Sequence, residues 1–441
     1  MLRIITQQSE ARAELQRIGD RLHHDSVAQQ EAAVREIVEA VRQGGDRALL
    51  DYTARFDGQT LTPQELRVSG SELDAAYQQV SKELIDAIAL ARDRIEAFHR
   101  QRCPKSWVQF GNDDVVLGKR YTPIDRAGIY VPGGTAAYPS TVLMNAIPAK
   151  VAGVQRLVMM TPPGPEGKIT PAVLVAAQEA GITEIYRAGG AQAIAALAYG
   201  TATVPKVDVI TGPGNIYVML AKKHVYGTVG IDSLAGPSEV LIIADKQAQP
   251  EHVAADLLAQ AEHDALAAAI LLTPEAALAE QVQAAVSEQL QNHPRRLLTE
   301  KAIAHYGLIA VVDSLETAVD LANLFAPEHL ELQVAEPWNW IEQIRHAGAI
   351  FLGYHTPEAV GDYLAGPNHT LPTSGAARYA SALGVETFMK HSSLIQYSPA
   401  ALAKVADAVQ TLARVEGLHS HGESVRLRRP APPLSPPVTL E

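Results

Sequence analysis

One cysteine, Cys103, occurs in 441 residues. That scarcity excludes an intrachain disulfide and a cysteine-built zinc knuckle. The neighbours of Cys103 in HRQRCPKSW are basic enough to favour a thiolate, so a nucleophilic thiol and an incidental one both stand as readings. Positive charge is also short: the formal net charge is -12, which argues against nucleic acid or an anionic membrane as the main partner. No stretch approaches the roughly 18 consecutive apolar residues that span a bilayer. The opening MLRIITQQSEARAELQ has no apolar signal core, so the cytoplasm is the expected compartment. What is present is the mixture of a soluble globular protein, 47% hydrophobic and 20% charged, in a chain long enough for two or more domains.

Along the chain, residues 8 to 100 carry apolar positions at three and four spacing and read as mostly helical. VVLGKRYTPIDRAGIYVPGG reads as two strands closing on a glycine loop. Short β-rich runs then alternate with helices, through RLVMM, EIYRAGG and KVDVITGPG. A second series runs from SEVLIIAD through AAAILLTP, LIAVVD and AIFLG. Such alternation predicts parallel sheets faced by helices. The last forty or so residues carry the helix SPAALAKVADAVQTLARVEG and a proline-rich tail, whose final Leu-Glu resembles an expression-vector remnant.

Several stretches carry chemistry. In PEHVAADLLAQAEHD, Gln260 and His263 lie about 60° apart on a helix and flank an apolar arc. They are either half of a metal or ligand site or a polar shoulder. RAGGAQAI around Gln192 and ITGPGNIY around Asn215 place glycine turns where strands give way to helices. Either helix N-terminus suits a phosphate, although neither turn is a G-x-G-x-x-G and tight packing alone also uses glycine there. FAPEHLEL puts Glu328 beside His329 at a helix end, two candidate bases for different protons. LGYHTPEAVGDYLAGPNHTLPTSG holds Asp362 and His369 in a punctuated segment, and EGLHSHGES adds Glu416, His419 and His421. Gln260, His263, Asp362 and a C-terminal histidine form a nitrogen and oxygen set suited to zinc.

GPSEVLIIAD, QAEHD, FAPEHLEL, GDYLAGPNHTLPT and EGLHSH, in this order, resemble the histidinol dehydrogenase family over roughly residues 20 to 428. The resemblance implies an oxidoreductase acting on a CH–OH group, which takes L-histidinol through L-histidinal to L-histidine with two NAD. That is the last step of histidine biosynthesis. It implies zinc held by Gln260, His263, Asp362 and His421, the spacing E-G-L-x-x-H favouring His421 over His419. His329 is implied as the base of both oxidations and Glu328 as the base that activates the hydrating water. Ser238, His369 and Glu416 are implied as further substrate contacts, and Tyr130, Gln192 and Asn215 as NAD contacts.

The fold implied is α/β, with two Rossmann-like parallel-sheet domains and helical N- and C-terminal extensions. An N-terminal extension covers 1–25, a discontinuous substrate and zinc domain 26–129 and 238–383, an inserted NAD domain 130–237, and a C-terminal dimer-swapping extension 384–441. The implied homodimer shares its active sites, with Glu416 and His421 completing the other subunit's site. Two other readings compete. A relative oxidising a sulfonated diol would find Glu416 repulsive, and a zinc hydrolase would not need the two α/β series.

Overall fold

The computed structural model describes residues 2–21, 28–111, 113–133, 137–234 and 236–429. The proline-rich tail and its terminal Leu-Glu lie outside the described residues. The chain divides into two units, one of Met1–Cys103 with Ile124–Phe388, the other of Pro104–Pro123 with Met389–Glu441.

The first unit is built on two parallel sheets. Largely apolar runs such as EVLIIA at Glu239–Ala244 and AAILLT at Ala268–Thr273 are buried along their whole length. That is what a sheet covered on both faces demands. The larger sheet orders Arg3–Ile5, Gly307–Val311, Ala268–Thr273, Glu239–Ala244, His329–Gln333 and Ala349–Leu352. The smaller orders Glu184–Arg187, Arg156–Thr161, Arg126–Tyr130, Val209–Thr211 and Gly230–Ile231. Every pairing in both is parallel.

Both sheets are wound alike. In each, the chain lays down an inner strand, steps outward twice on one side, and returns to the inner strand's other flank. The switch points fall between Arg126–Tyr130 and Val209–Thr211, and between Glu239–Ala244 and His329–Gln333. The α/β class expected from the alternation is the class observed. One addition is the edge strand Arg3–Ile5, which pairs with Gly307–Val311 ahead of the first helix, Gln8–Gly19.

Ahead of the smaller sheet, helix Ala28–Gly44 packs through one face on two helices that cover it. Val34, Ile37, Val38 and Val41 of Ala28–Gly44 share a buried cluster with Ile194, Leu197, Val218 and Ala221. Short helices there begin with reciprocal caps, Thr62 with Glu65 and Ser69 with Glu72, each satisfying backbone donors that a helix start leaves open.

The second unit is a three-stranded antiparallel sheet, Met389–Tyr397, Val115–Pro123 and Trp107–Phe110, with helices Pro399–Val415 and His419–Arg426. The C-terminal extension thus opens on a strand before its helices, and His419–Arg426 is a helix additional to the one read from the sequence. Phe110, Ile395, Val415 and Leu427 are each at least 70% exposed, an unusual density of apolar surface for so small a unit. Among the described residues no helix is long and apolar enough to cross a membrane.

Candidate active site

The N-terminal edge of the larger sheet gathers the acidic and imidazole residues. Helix Leu315–Phe325 ends on Ala326 in the left-handed region (φ 58°), and the chain reverses into strand His329–Gln333. Glu328 and His329 therefore stand at a strand start two and three residues past that turn, rather than at the helix end. The neighbouring strand start holds both in place: Glu239 N–H donates to Glu328 Oε2 (2.9 Å), and His329 Nδ1 lies 3.0 Å from the Glu239 carbonyl. A carbonyl only accepts, so the His329 proton sits on Nδ1 and leaves Nε2 with its lone pair. That Nε2 is buried and has no hydrogen-bond partner among the described residues. Burial lowers the His329 pKa to about 3, so the ring is neutral at physiological pH and its Nε2 is unprotonated.

Helix Pro250–Ala261 reaches the same edge by its C-terminus. Gln260 is fully buried near its last turn, and His263 follows the helix, its N–H donating to the Gln260 carbonyl (3.2 Å). Glu262 turns away to His293 (3.5 Å). Oriented with its nitrogen toward the acceptors it faces, the Gln260 amide donates to Glu358 at 2.8 and 2.9 Å. Its oxygen is then directed away from the carboxylate. Asp362 follows Glu358 by one turn on helix Glu358–Tyr363. His263, Glu358 and Asp362 each offer a ligand atom within 4.8 Å of the others. The Asp362 carbonyl accepts from His369 Nδ1 (3.1 Å), which leaves the His369 Nε2 available. Ser238 immediately precedes Glu239, and its carbonyl accepts from Ala268 N–H (3.0 Å).

The charge balance is strongly negative. Burial raises Glu328 and Glu358 well above the usual carboxylate range and Asp362 to about 6. Arg21 pairs with Glu239 instead, at 2.9 Å with both side chains buried. Buried carboxylates that lack cations of their own suit a divalent ion and a cationic ligand. Burial holds His263 low and His369 down to about 4, keeping both neutral as metal binding requires. The donor set therefore fits zinc. Glu358 was missed in the sequence; its signal was the i, i+4 spacing to Asp362.

The nucleotide candidates occupy the C-terminal edge of the smaller sheet. Tyr130 ends strand Arg126–Tyr130, Gln192 lies in the first turn of helix Gly190–Tyr199, and Asn215 caps helix Ile216–Val225. Tyr130 and Gln192 converge through the loop between them. Gly190 N–H donates to the Tyr130 hydroxyl (3.1 Å), while Asp57 accepts from Gly189 N–H (3.1 Å) and from the Gln192 amide (3.4 Å). The Asn215 side chain accepts from Tyr217 and Val218 N–H (3.0 and 3.2 Å). Both helix starts thus already serve oxygens of the protein. Gly212 has φ +115°, and a Cβ there would lie 2.0 Å from the Tyr130 carbonyl, so only glycine lets the strand ends approach. The cleft at this switch point is where open parallel sheets receive ligands, which fits a dinucleotide there. The capped helix starts do not offer the usual pyrophosphate cradle.

Glu416 and His421 lie in the second unit and are exposed, Glu416 at the end of helix Pro399–Val415 and His421 in helix His419–Arg426.

Two parallel sheets, one edge carrying neutral imidazoles among buried carboxylates and the other a switch-point cleft, place the chain among α/β enzymes. Comparison with known proteins narrows the class. The histidinol dehydrogenase family pattern matches residues 21–429. Histidinol dehydrogenase of Thermosynechococcus vestitus is 74% identical over 97% of this chain and 99% of its own. That of Gloeobacter violaceus is 66% identical over 97% and 96%. The crystal structure of histidinol dehydrogenase from Elizabethkingia anophelis superposes with a TM-score of 0.87 at 41% identity, covering 90% of this chain and 91% of that one. The chain belongs to the histidinol dehydrogenase family.

Proposed function

We propose that the protein oxidises L-histidinol through L-histidinal to L-histidine, using two NAD and one zinc per site, in the cytoplasm, as the final step of histidine biosynthesis. The observation that carries this reading is the free, neutral Nε2 of His329 beside three ligand atoms within 4.8 Å of one another. When bound, zinc supplies Lewis acidity and a substrate anchor, and NAD supplies the hydride acceptor. Gln260, His263 and Asp362 would hold the metal with His421, while Tyr130, Gln192 and Asn215 would hold the cofactor.

The chain's residues then divide the work. His329 accepts the alcohol proton on Nε2 while the Glu239 carbonyl keeps Nδ1–H in place. Glu328, fixed by Glu239 N–H, orients the water that adds to the aldehyde. Its raised pKa means that it works as a base only once substrate and metal supply positive charge beside it. His329 serves again as the hydrate is oxidised. Ser238, His369 and Glu416 contact the substrate; the acidic surroundings favour a cationic amino alcohol.

The protein would work as a homodimer, each second unit bringing Glu416 and His421 to its partner's site, and the exposed apolar residues of that unit supply a surface for association. The domain division expected from the sequence, with 130–237 as an inserted NAD domain, follows the smaller sheet and is proposed with it.

The test is NAD reduction by L-histidinol with and without a chelator. Two NADH per histidine formed, abolished by the chelator and restored by zinc, is the expected result. One NADH per turnover, or indifference to the chelator, would overturn it.

A further inference from the structure

We propose that Asp256, Glu331 and Gln333 form a polar clamp that sets the spacing between the helix carrying Gln260 and the strand carrying His329, and so act as positioning residues. Asp256 lies one turn before Gln260 on helix Pro250–Ala261. Glu331 and Gln333 follow His329 at alternate positions of strand His329–Gln333, and share its face. The Gln333 amide nitrogen donates to Asp256 Oδ2 and to Glu331 Oε2, both at 2.9 Å. That shared donor places the two buried carboxyl groups side by side. Two ionised carboxylates so placed would repel with no cation between them, so the arrangement favours one proton held by the pair. The other Glu331 oxygen, Oε1, accepts from Glu358 N–H (3.1 Å), at the start of the helix that carries Asp362.

Glu331 and Gln333 together therefore reach all three elements that bring Gln260, His329 and Asp362 together. Glu331 is only 1% exposed. An apolar residue of that size would suit a buried strand better, since an acidic pair gains nothing from burial. Burial beside Asp256 raises Glu331 to about 8, consistent with a pair that keeps its proton at neutral pH. What the acids contribute is direction. Hydrogen bonds of fixed length tie the middle of the helix to the body of the strand, one turn from Gln260 and two residues from His329, as outer groups around metal sites fix their ligands.

This inference rests on the metal and base reading above, and the experiment separates the two. Asp256→Asn keeps the clamp: its amide oxygen accepts from Gln333 and its nitrogen donates to Glu331 without a shared proton. Asp256→Leu breaks it. The measurements are zinc retained after dialysis against a weak chelator, kcat and KM for L-histidinol, NADH affinity and thermal midpoint. Asp256→Asn should stay within about threefold of the parent in every readout. Asp256→Leu should keep its thermal midpoint and NADH affinity but lose about 10- to 100-fold in zinc affinity or kcat. A Leu variant that holds zinc and turns over like the parent would overturn the clamp. So would an Asn variant as impaired as the Leu one, because charge rather than hydrogen bonding would then matter. If Asp256→Leu fails to fold, Gln333→Met removes the bridging donor and takes its place. If the parent binds no zinc, the metal reading falls by itself, and the clamp is judged on kcat, which depends on His329.

Discussion

The two sheets of the first unit are wound alike, and their candidate residues gather at opposite ends. The smaller presents its C-terminal edge, where helices begin; the larger presents its N-terminal edge, where helix Pro250–Ala261 ends and strand His329–Gln333 starts. Helix starts carry partial positive charge and helix ends partial negative charge. An anionic dinucleotide suits the first edge and a metal with a cationic amino alcohol the second. The larger sheet has a switch point between Glu239–Ala244 and His329–Gln333, yet the candidate bases gather at the other end of those strands. Winding alone does not say which edge reacts; the residues at the strand ends do.

The comparison can be broken most severely at the larger sheet. His263→Asn should abolish both zinc binding and turnover while leaving NADH affinity unchanged, as metal analysis and fluorescence titration would read. A variant that retains full zinc would remove His263 from the metal site. Next comes His329→Asn, expected to slow oxidation of histidinol and of histidinal by about 10² to 10⁴. Glu328→Gln should spare the first oxidation and slow the second. Supplying each substrate separately and following NADH decides this, and equal slowing of both, with chemistry limiting, would end the division of labour.

Damage at the smaller sheet should look different. Gly212→Ala must displace the Tyr130 carbonyl and hold alanine at φ +115°. We expect a loss of about 1–3 kcal/mol in stability and weaker NADH binding, with zinc content intact. Loss of zinc in a folded Gly212→Ala protein would show that the two edges are not independent.

A control lies outside both edges. His99 is buried in helix Lys82–Arg100, and desolvation lowers its pKa from 6.5 to about 4. The unfolded chain therefore binds its proton more readily, so the stability it confers is complete above about pH 6.5 and is lost as pH falls toward 4. His99→Gln should flatten the acid limb of thermal midpoint against pH between those values; an unchanged slope would assign it to other groups. The smallest effect belongs to Cys103→Ser. No covalent thiol step is needed, so most activity should remain, and a loss of several orders of magnitude in folded protein would restore the nucleophile.

Much of this was legible in the residues. The apolar runs marked the strands because sheets covered on both faces tolerate little else, and the alternation with helices gave the class. Gln260 and His263 were paired by helical spacing, although His263 lies in the turn after the helix, and Glu328 and His329 were paired by adjacency. Glu331 and Glu239 were visible only as acids inside apolar runs, LELQ and SEVLII, a sign that invites a buried partner without naming it. Their partners, Asp256 and Arg21, lie 75 and 218 residues away in sequence. Asp57 was silent for the same reason: only the packed fold brings it to Gly189. The turn at Ala326 moved Glu328 and His329 from a helix end to a strand start, because a non-glycine left-handed residue leaves no mark in the sequence.

Asp57 also bears on timing. A four-electron oxidation on one substrate must change cofactor midway, while a reactive aldehyde waits. In the proposed reaction, the helix start that would otherwise grip a pyrophosphate already holds the Asp57 carboxylate. A nucleotide bound there would forgo that grip and its residence would shorten, whereas the substrate would be anchored at the other sheet. On that reading, spent cofactor would leave first and the aldehyde would stay until it had become an acid.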